Sequence, residues 1–150
     1  MSESRNLMIQ SLKEIVVPIL REQGFKGSFP HFRRSLNDRI DLLSFQFDKW
    51  GGGFLIEISK CGTSGITTYW GEEIPAKKVR AIDIHPDRRC RIKPGQGGSR
   101  EHWFRFDKGS VLKSSGVYDQ VAARVIPYLE EAEEWWESEL PGTNVNQIGT

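Results

Sequence analysis

With 150 residues, 37% of them hydrophobic and 27% charged, the chain has the size and composition of one globular domain, not of a disordered segment. A net charge of +1 supplies no overall field to draw it to nucleic acid or to a membrane. Two cysteines, Cys61 and Cys90, exclude a four-thiolate zinc site and a dense disulfide framework. The opening stretch, MSESRNLMIQSLKEIVVPIL, carries charges throughout and reads as neither signal peptide nor membrane span. Both thiols are therefore expected to be reduced, in the cytoplasm, in preference to a Cys61–Cys90 disulfide.

Local charge is less even than the total. From Lys77 to Lys108 ten Lys or Arg face four Asp or Glu, whereas Glu130 to Glu139 holds six Glu and no base, so that +6 and −6 cancel.

The first predicted element is a helix over Ser4–Gln23, with Met8, Leu12, Ile15, Val16, Ile19 and Leu20 in one stripe. Ser4 is the expected N-cap and Gly24 the left-handed stop, and Pro18 predicts a kink or boundary. A strand around Phe29–Ser35 and a turn at Asn37-Asp38 lead into IDLLSFQFDKWGGGFLIEISKC, Ile40 to Cys61. There Leu43, Phe45 and Phe47 alternate on one strand and Phe54, Ile56 and Ile58 on the next, the period of a half-buried hairpin. Gly51, Gly52 and Gly53 stand where the chain reverses. Short strands are predicted at Ile66–Trp70, Ala81–His85, Arg89–Lys93 and His102–Asp107, with Gly71–Lys78 irregular because Pro75 bars a central strand. A second helix spans Gly116–Ser138, its stripe being Tyr118, Val121, Ala122, Val125, Leu129, Ala132 and Trp136. Six glutamates at the C-terminal end of one continuous helix oppose its dipole, so a break or sharp kink is expected at Pro127. Residues 141–150, PGTNVNQIGT, are expected to be a disordered tail to a single domain of residues 1–140. The predicted fold is α+β: an antiparallel sheet of four to six strands with the N-terminal and C-terminal helices packed on one face.

The leading amphipathic helix ending in Gly24-Phe25-Lys26, then Phe32-Arg33-Arg34, the strand carrying Phe45-Gln46 and the alternation Phe54–Ile58 together resemble the bacterial domain of unknown function 4304, mainly over residues 7–61. The resemblance implies an α+β fold and a soluble bacterial protein, and brings no active site with it.

Each chemical motif has a plainer competitor. Asp41 with Glu57 and Lys60 imitates a metal-dependent nuclease, but Glu57 and Lys60 are three apart and point to opposite faces of a strand. Solvent-facing charges on a hairpin are the preferred interpretation. His31, His85 and His102 lack metal-ligand spacing, and no cofactor or metal is expected. Cys61 reads as a small hydrophobe, whereas Cys90 between Arg89 and Arg91 is a candidate for a thiol of lowered pKa. The loop GQGGSR has amides and Arg100 to offer an anion, without the ending of a P-loop.

The strongest functional signal is the run Arg88-Arg89-Cys90-Arg91-Ile92-Lys93 near Trp103 and Arg105, with Arg33 and Arg34 on a strand that can lie alongside. On a strand Arg89, Arg91 and Lys93 share a face. Cations beside rings suit a non-enzymatic module that recognises another protein, in the manner of an immunity or accessory protein, with Trp50, Trp70 and Trp103 as further anchors. The alternative is a nucleic-acid-binding module using residues 88–93 with the aromatics of 103–106. The bland competitor is that the basic run neutralises the chain's own Glu130–Glu139 run.

Overall fold

The alternating stretch in the first half of the chain forms two long strands, β3 (Ile40–Phe47) and β4 (Gly53–Cys61), paired antiparallel with Phe45 opposite Ile56. Gly51 and Gly52 turn the chain with φ of 94° and 85°, a region that glycine occupies without steric cost. The computed structural model describes residues 3–49, 51–92, 103–106, 115–139 and 145–147. Trp50, Lys93, the GQGGSR loop and His102 lie outside them.

On one side of the hairpin stand β2 (His31–Ser35) and β1 (Lys26–Ser28), and on the other β7 (Cys90–Ile92) and β9 (Val145–Gln147). All pairings are antiparallel, in the order β1-β2-β3-β4-β7-β9, and the two-residue β8 (Phe104–Arg105) pairs with β4 near the glycine turn. β9 lies in the stretch expected to be a tail: Val145 is fully buried opposite Ile92, and that burial draws the strand onto the sheet edge. A separate pair, β5 (Ile66–Thr67) and β6 (Glu73–Ile74), forms a small hairpin. β6 runs up to Pro75 in what was expected to be irregular chain, since a two-residue edge pairing leaves the proline outside the ladder. Ala81–Asp83, expected as a strand, is instead a 3₁₀ turn, as is Pro86–Arg88.

The predicted first helix is two: α1 (Glu3–Ile15) and α2 (Val17–Glu22). Pro18 opens α2, where its missing N–H costs nothing. Gly24, at φ 96°, closes α2 with Gly24 N–H on the Arg21 carbonyl and Phe25 N–H on that of Leu20, at 3.0 and 2.9 Å. Ser4 falls inside α1, one residue past its start.

The last helix, α3 (Ser115–Ser138), runs unbroken for 24 residues, so that of the break or sharp kink expected at Pro127 the break is absent. Pro127 and Ala123, whose carbonyl it leaves without an amide, both lie on the exposed side, while the apolar stripe before and after the proline packs into one core. Burial of that stripe outweighs the single missing hydrogen bond. The dipole objection is met by Lys60, whose ammonium donates to the Trp136 carbonyl at 3.0 Å and pairs with Glu139 at 3.2 Å.

α1, α2 and α3 lie on one face of the sheet, covering Phe32, Leu43, Phe45, Phe54, Ile56 and Ile58. Rings organise this core: Phe54 stacks on Phe104 at 5.2 Å, Tyr128 meets Phe104 edge-on at 5.8 Å, and Phe25 meets Trp136 at 5.1 Å. Ser11 donates to Asp119 at 2.7 Å, tying α1 to α3. The hairpin is not half-buried as its alternation predicts. A second, smaller core of Ile40, Leu42, Val79, Ala81 and Ile84 covers part of the other face, because the chain of residues 76–84 folds back over it.

Replacing Pro127 by alanine restores a donor to the Ala123 carbonyl within a continuous helix. Stability is expected to rise by about 1–3 kcal/mol, read as a higher urea midpoint at unchanged slope.

Candidate interaction site

The hairpin buries two carboxylates, Asp41 and Glu57, to 0% and 1% exposure, so they are not the solvent-facing charges expected of them. The register puts them on opposite faces: Asp41 sits beside Lys60 on the helix side, and Glu57 opposite Arg91 on the other. A nuclease-like cluster of the two is thus sterically ruled out. Among the described residues no group of three His, Cys, Asp or Glu is placed to hold a metal ion.

Each buried carboxylate collects two guanidinium groups. Asp41 receives Arg34 and Arg39, both at 2.7 Å, and Arg34 also pairs with Glu133 of α3 at 2.7 Å. Arg34 further lies 4.6 Å over the Phe25 ring and 5.3 Å over Trp136. Burial alone would lower the pKa of Arg34, but its hydrogen bonds to Glu133 and Asp41 outweigh that and raise it. Glu57 receives Arg89 at 3.2 Å and Arg91 at 2.9 Å. The face shared by Arg89 and Arg91 is therefore real, but both cations are spent on Glu57, not on the acidic run. The partners of that run include Arg34 and Lys60.

The remaining candidates are scattered. Arg33 projects on the face away from the helices and makes no ion pair among the described residues. Beside it on that face His31 approaches Ser44 Oγ at 2.8 Å, and burial, aided by the charge of Arg80, lowers its pKa. Arg105 sits at the glycine-turn end of β4, 3.7 Å from Asp48 and 5.8 Å from the Trp103 ring. Arg88 lies toward the opposite end of β4, where that strand finishes at Cys61.

Cys90 points into the helix-side core beside Ile58, away from its arginine neighbours, and is 2% exposed. Burial, with a contribution from Glu139, pushes its pKa up from 9.0 to about 11, the reverse of the lowered value for which its arginine neighbours made it a candidate. Cys61 is on the other face and burial raises it to about 11 as well, so the two thiols stay unbridged across the sheet.

What sequence reasoning passed over is the tip of the β5–β6 hairpin. Tyr69 is 78% and Trp70 57% exposed, edge to face at 4.8 Å, and Tyr69 also meets the His85 ring at 5.4 Å. The tip is braced rather than loose. Thr68 N–H donates to the Glu72 carbonyl at 2.8 Å, Glu72 N–H to Thr68 Oγ1 at 2.9 Å, and Trp70 Nε1–H to the Glu72 carboxylate at 3.1 Å. Two grooves of about 420 and 590 Å³ share Lys60, Cys61, Gly62 and Arg88, and the smaller of them runs under Tyr69. Of the cations lining them, Arg39 and Lys60 are paired, whereas Arg88 is exposed and has no side-chain partner among the described residues. The sequence marks Trp70 and Arg88 separately, and Tyr69 carries no signal beyond its ring.

These features define an α+β domain with a helix-covered antiparallel sheet and an aromatic, arginine-bearing edge. The family model described as Domain of unknown function (DUF4304) matches residues 16–138, and the chain belongs to that family. The match extends well beyond the stretch that carries the resemblance in the sequence. No curated protein and no solved structure matches the chain.

Glu57→Gln leaves Arg89 and Arg91 largely buried without a counter-charge. A loss of about 3 kcal/mol in urea unfolding is expected, with far-ultraviolet circular dichroism unchanged before the transition. At pH 8 a thiol of pKa near 11 is roughly one part in a thousand ionised, so both native cysteines should resist Ellman's reagent and react promptly in guanidinium. The linkage sign is that of an acid held protonated by folding. Stability is intact below pH 9.0 and falls as pH rises toward about 11, because the unfolded chain releases thiol protons that the native one keeps.

Proposed function

We propose that this protein is a non-enzymatic interaction module that recognises another protein through the edge formed by Tyr69, Trp70 and Arg88. The observation that carries this is the braced, solvent-exposed pair Tyr69–Trp70 beside an arginine without a partner among the described residues. Trp, Tyr and Arg are the residues that dominate binding energy at protein interfaces, and rings held in place before binding lose little entropy on docking. Blocking a partner, as an immunity or accessory protein does, is one use of such an edge.

Nucleic-acid binding through residues 88–93 is the weaker alternative. Phosphates there would have to displace Glu57 from Arg89 and Arg91, removing the counter-charge of a buried carboxylate.

The test is affinity capture from native host lysate with the parent chain and the Tyr69→Ala/Trp70→Ala double variant. A specific partner of the parent is expected to fall at least about tenfold in the variant, the loss typical of two anchoring rings, with the melting temperature unchanged. An identical set of captured proteins from both chains overturns the proposal.

A further inference from the structure

The two grooves that meet at Arg88 differ in charge, and the difference defines what the edge recognises. The larger is balanced: Asp38, Glu137 and Glu139 face Arg39, Lys60 and Arg88 across it. The smaller runs under Tyr69 and carries Lys60 and Arg88 against one acid, Asp83, with the His85 ring alongside, its Nδ1 accepting the Asp87 N–H at 3.2 Å. That acid is already occupied, with Arg80 Nη2 on one carboxylate oxygen at 2.9 Å and the Arg80 backbone N–H on the other, also at 2.9 Å. Asp87, the acid next to Arg88 in sequence, stands 3.5 Å from the His85 ring. With Lys60 paired to Glu139 and Asp83 to Arg80, the positive charge left in the smaller groove is that of Arg88, a guanidinium with donors to spare, and one wall is the 78% exposed ring of Tyr69. Thr67 and Thr68 add hydroxyl groups to its lining, that of Thr68 already engaged by the Glu72 amide.

Resting on the interaction-module reading, we infer that the smaller groove is a carboxylate-binding subsite and that the partner presents an acidic peptide segment to it. Arg88 takes an Asp or Glu carboxylate of the segment in the two-pronged geometry that a guanidinium allows, and Tyr69 and Trp70 receive an adjacent aromatic or aliphatic side chain. A lone lysine would provide the charge without the fork. An exposed ring pair without a cation would provide area without a preference for acid.

The inference is tested by fluorescence anisotropy with a labelled nonapeptide of Asp and Glu flanking one Tyr, beside its Asn/Gln isostere. The acidic peptide is expected to bind at least about tenfold more tightly than the isostere, the difference one charge-assisted pair provides. Arg88→Gln should erase that preference and Arg88→Lys restore part of it, while Trp70→Ala weakens both peptides alike. Equal binding of the two peptides, no saturation of the acidic one at about 1 mM, or unchanged preference in Arg88→Gln overturns the inference. So does equal competition by an oligothymidylate, which marks a generic polyanion surface. The two proposals fail separately. Loss of the captured partner in the double aromatic variant without acid preference removes only the subsite. Acid preference lost in Arg88→Gln, with capture unaffected by the aromatic changes, removes only the interaction edge.

Discussion

Two carboxylates on neighbouring strands, one buried on each face of the sheet, constrain most of this structure. An ionised carboxylate removed from water is tolerated only where cations and hydrogen bonds replace its hydration, and removing one partner costs several kcal/mol. Asp41 draws in Arg34 of β2 and Arg39 of the turn before β3, and through Arg34 it reaches Glu133 of α3. Glu57 draws in Arg89 and Arg91, and so binds β7 to the centre of the sheet. The carboxylates are matched to arginines on the elements that flank the hairpin, which makes strand order and charge pairing one problem with one solution. Such pairs contribute less to net stability than to the choice of register, because a slip by one residue would strand a charge in an apolar core.

Aromatic packing provides the favourable energy around this frame. A chain of rings runs from Phe29 through Phe45 and Phe54 to Phe104 and Tyr128, spanning sheet and helix layer. Trp136 joins the two systems. Its ring packs on Phe25 under the Arg34 guanidinium, its indole N–H donates to the Ser59 carbonyl at 3.0 Å, and its own carbonyl takes the Lys60 ammonium. Against this economy the rings of Tyr69 and Trp70 are conspicuous for remaining in water. Their turn is nevertheless closed by side-chain hydrogen bonds, so the exposure is a property of an ordered surface, not of a loose loop.

The arginines around the hairpin differ in their partners. Arg34, Arg39, Arg89 and Arg91 are held by buried acids and serve the fold. Arg88, next in sequence to one of them, is turned out beside the aromatic edge by the short 3₁₀ turn Pro86–Arg88. A difference of one position along the chain separates a guanidinium held by a buried acid from an exposed one without a side-chain partner among the described residues. Turn geometry makes that separation, since it decides which neighbour joins the sheet.

The sequence by itself determined the elements whose signal is local. Period-two alternation and a triple glycine specify the β3–β4 hairpin, a helical stripe specifies each helix, and Gly24 and Pro18 mark where the first pair of helices stops and starts, because steric and periodic rules act within a few residues. Membership of the family was legible in the same motifs. Tertiary structure alone decided the rest, and in each case through a partner distant in sequence. Pro127 does not break α3, because a shared core holds both halves of the helix. Cys90 is buried and its pKa raised, because strand parity turns it inward while its arginine neighbours turn outward. Residues 145–147 become a strand, because β7 offers them an edge and Val145 a place to bury. The pairing of Arg89 and Arg91 with Glu57, and the meeting of Tyr69 with His85 over the groove that Arg88 lines, arise from long-range contacts whose free energy depends on what lies across the fold, and no window along the chain contains it.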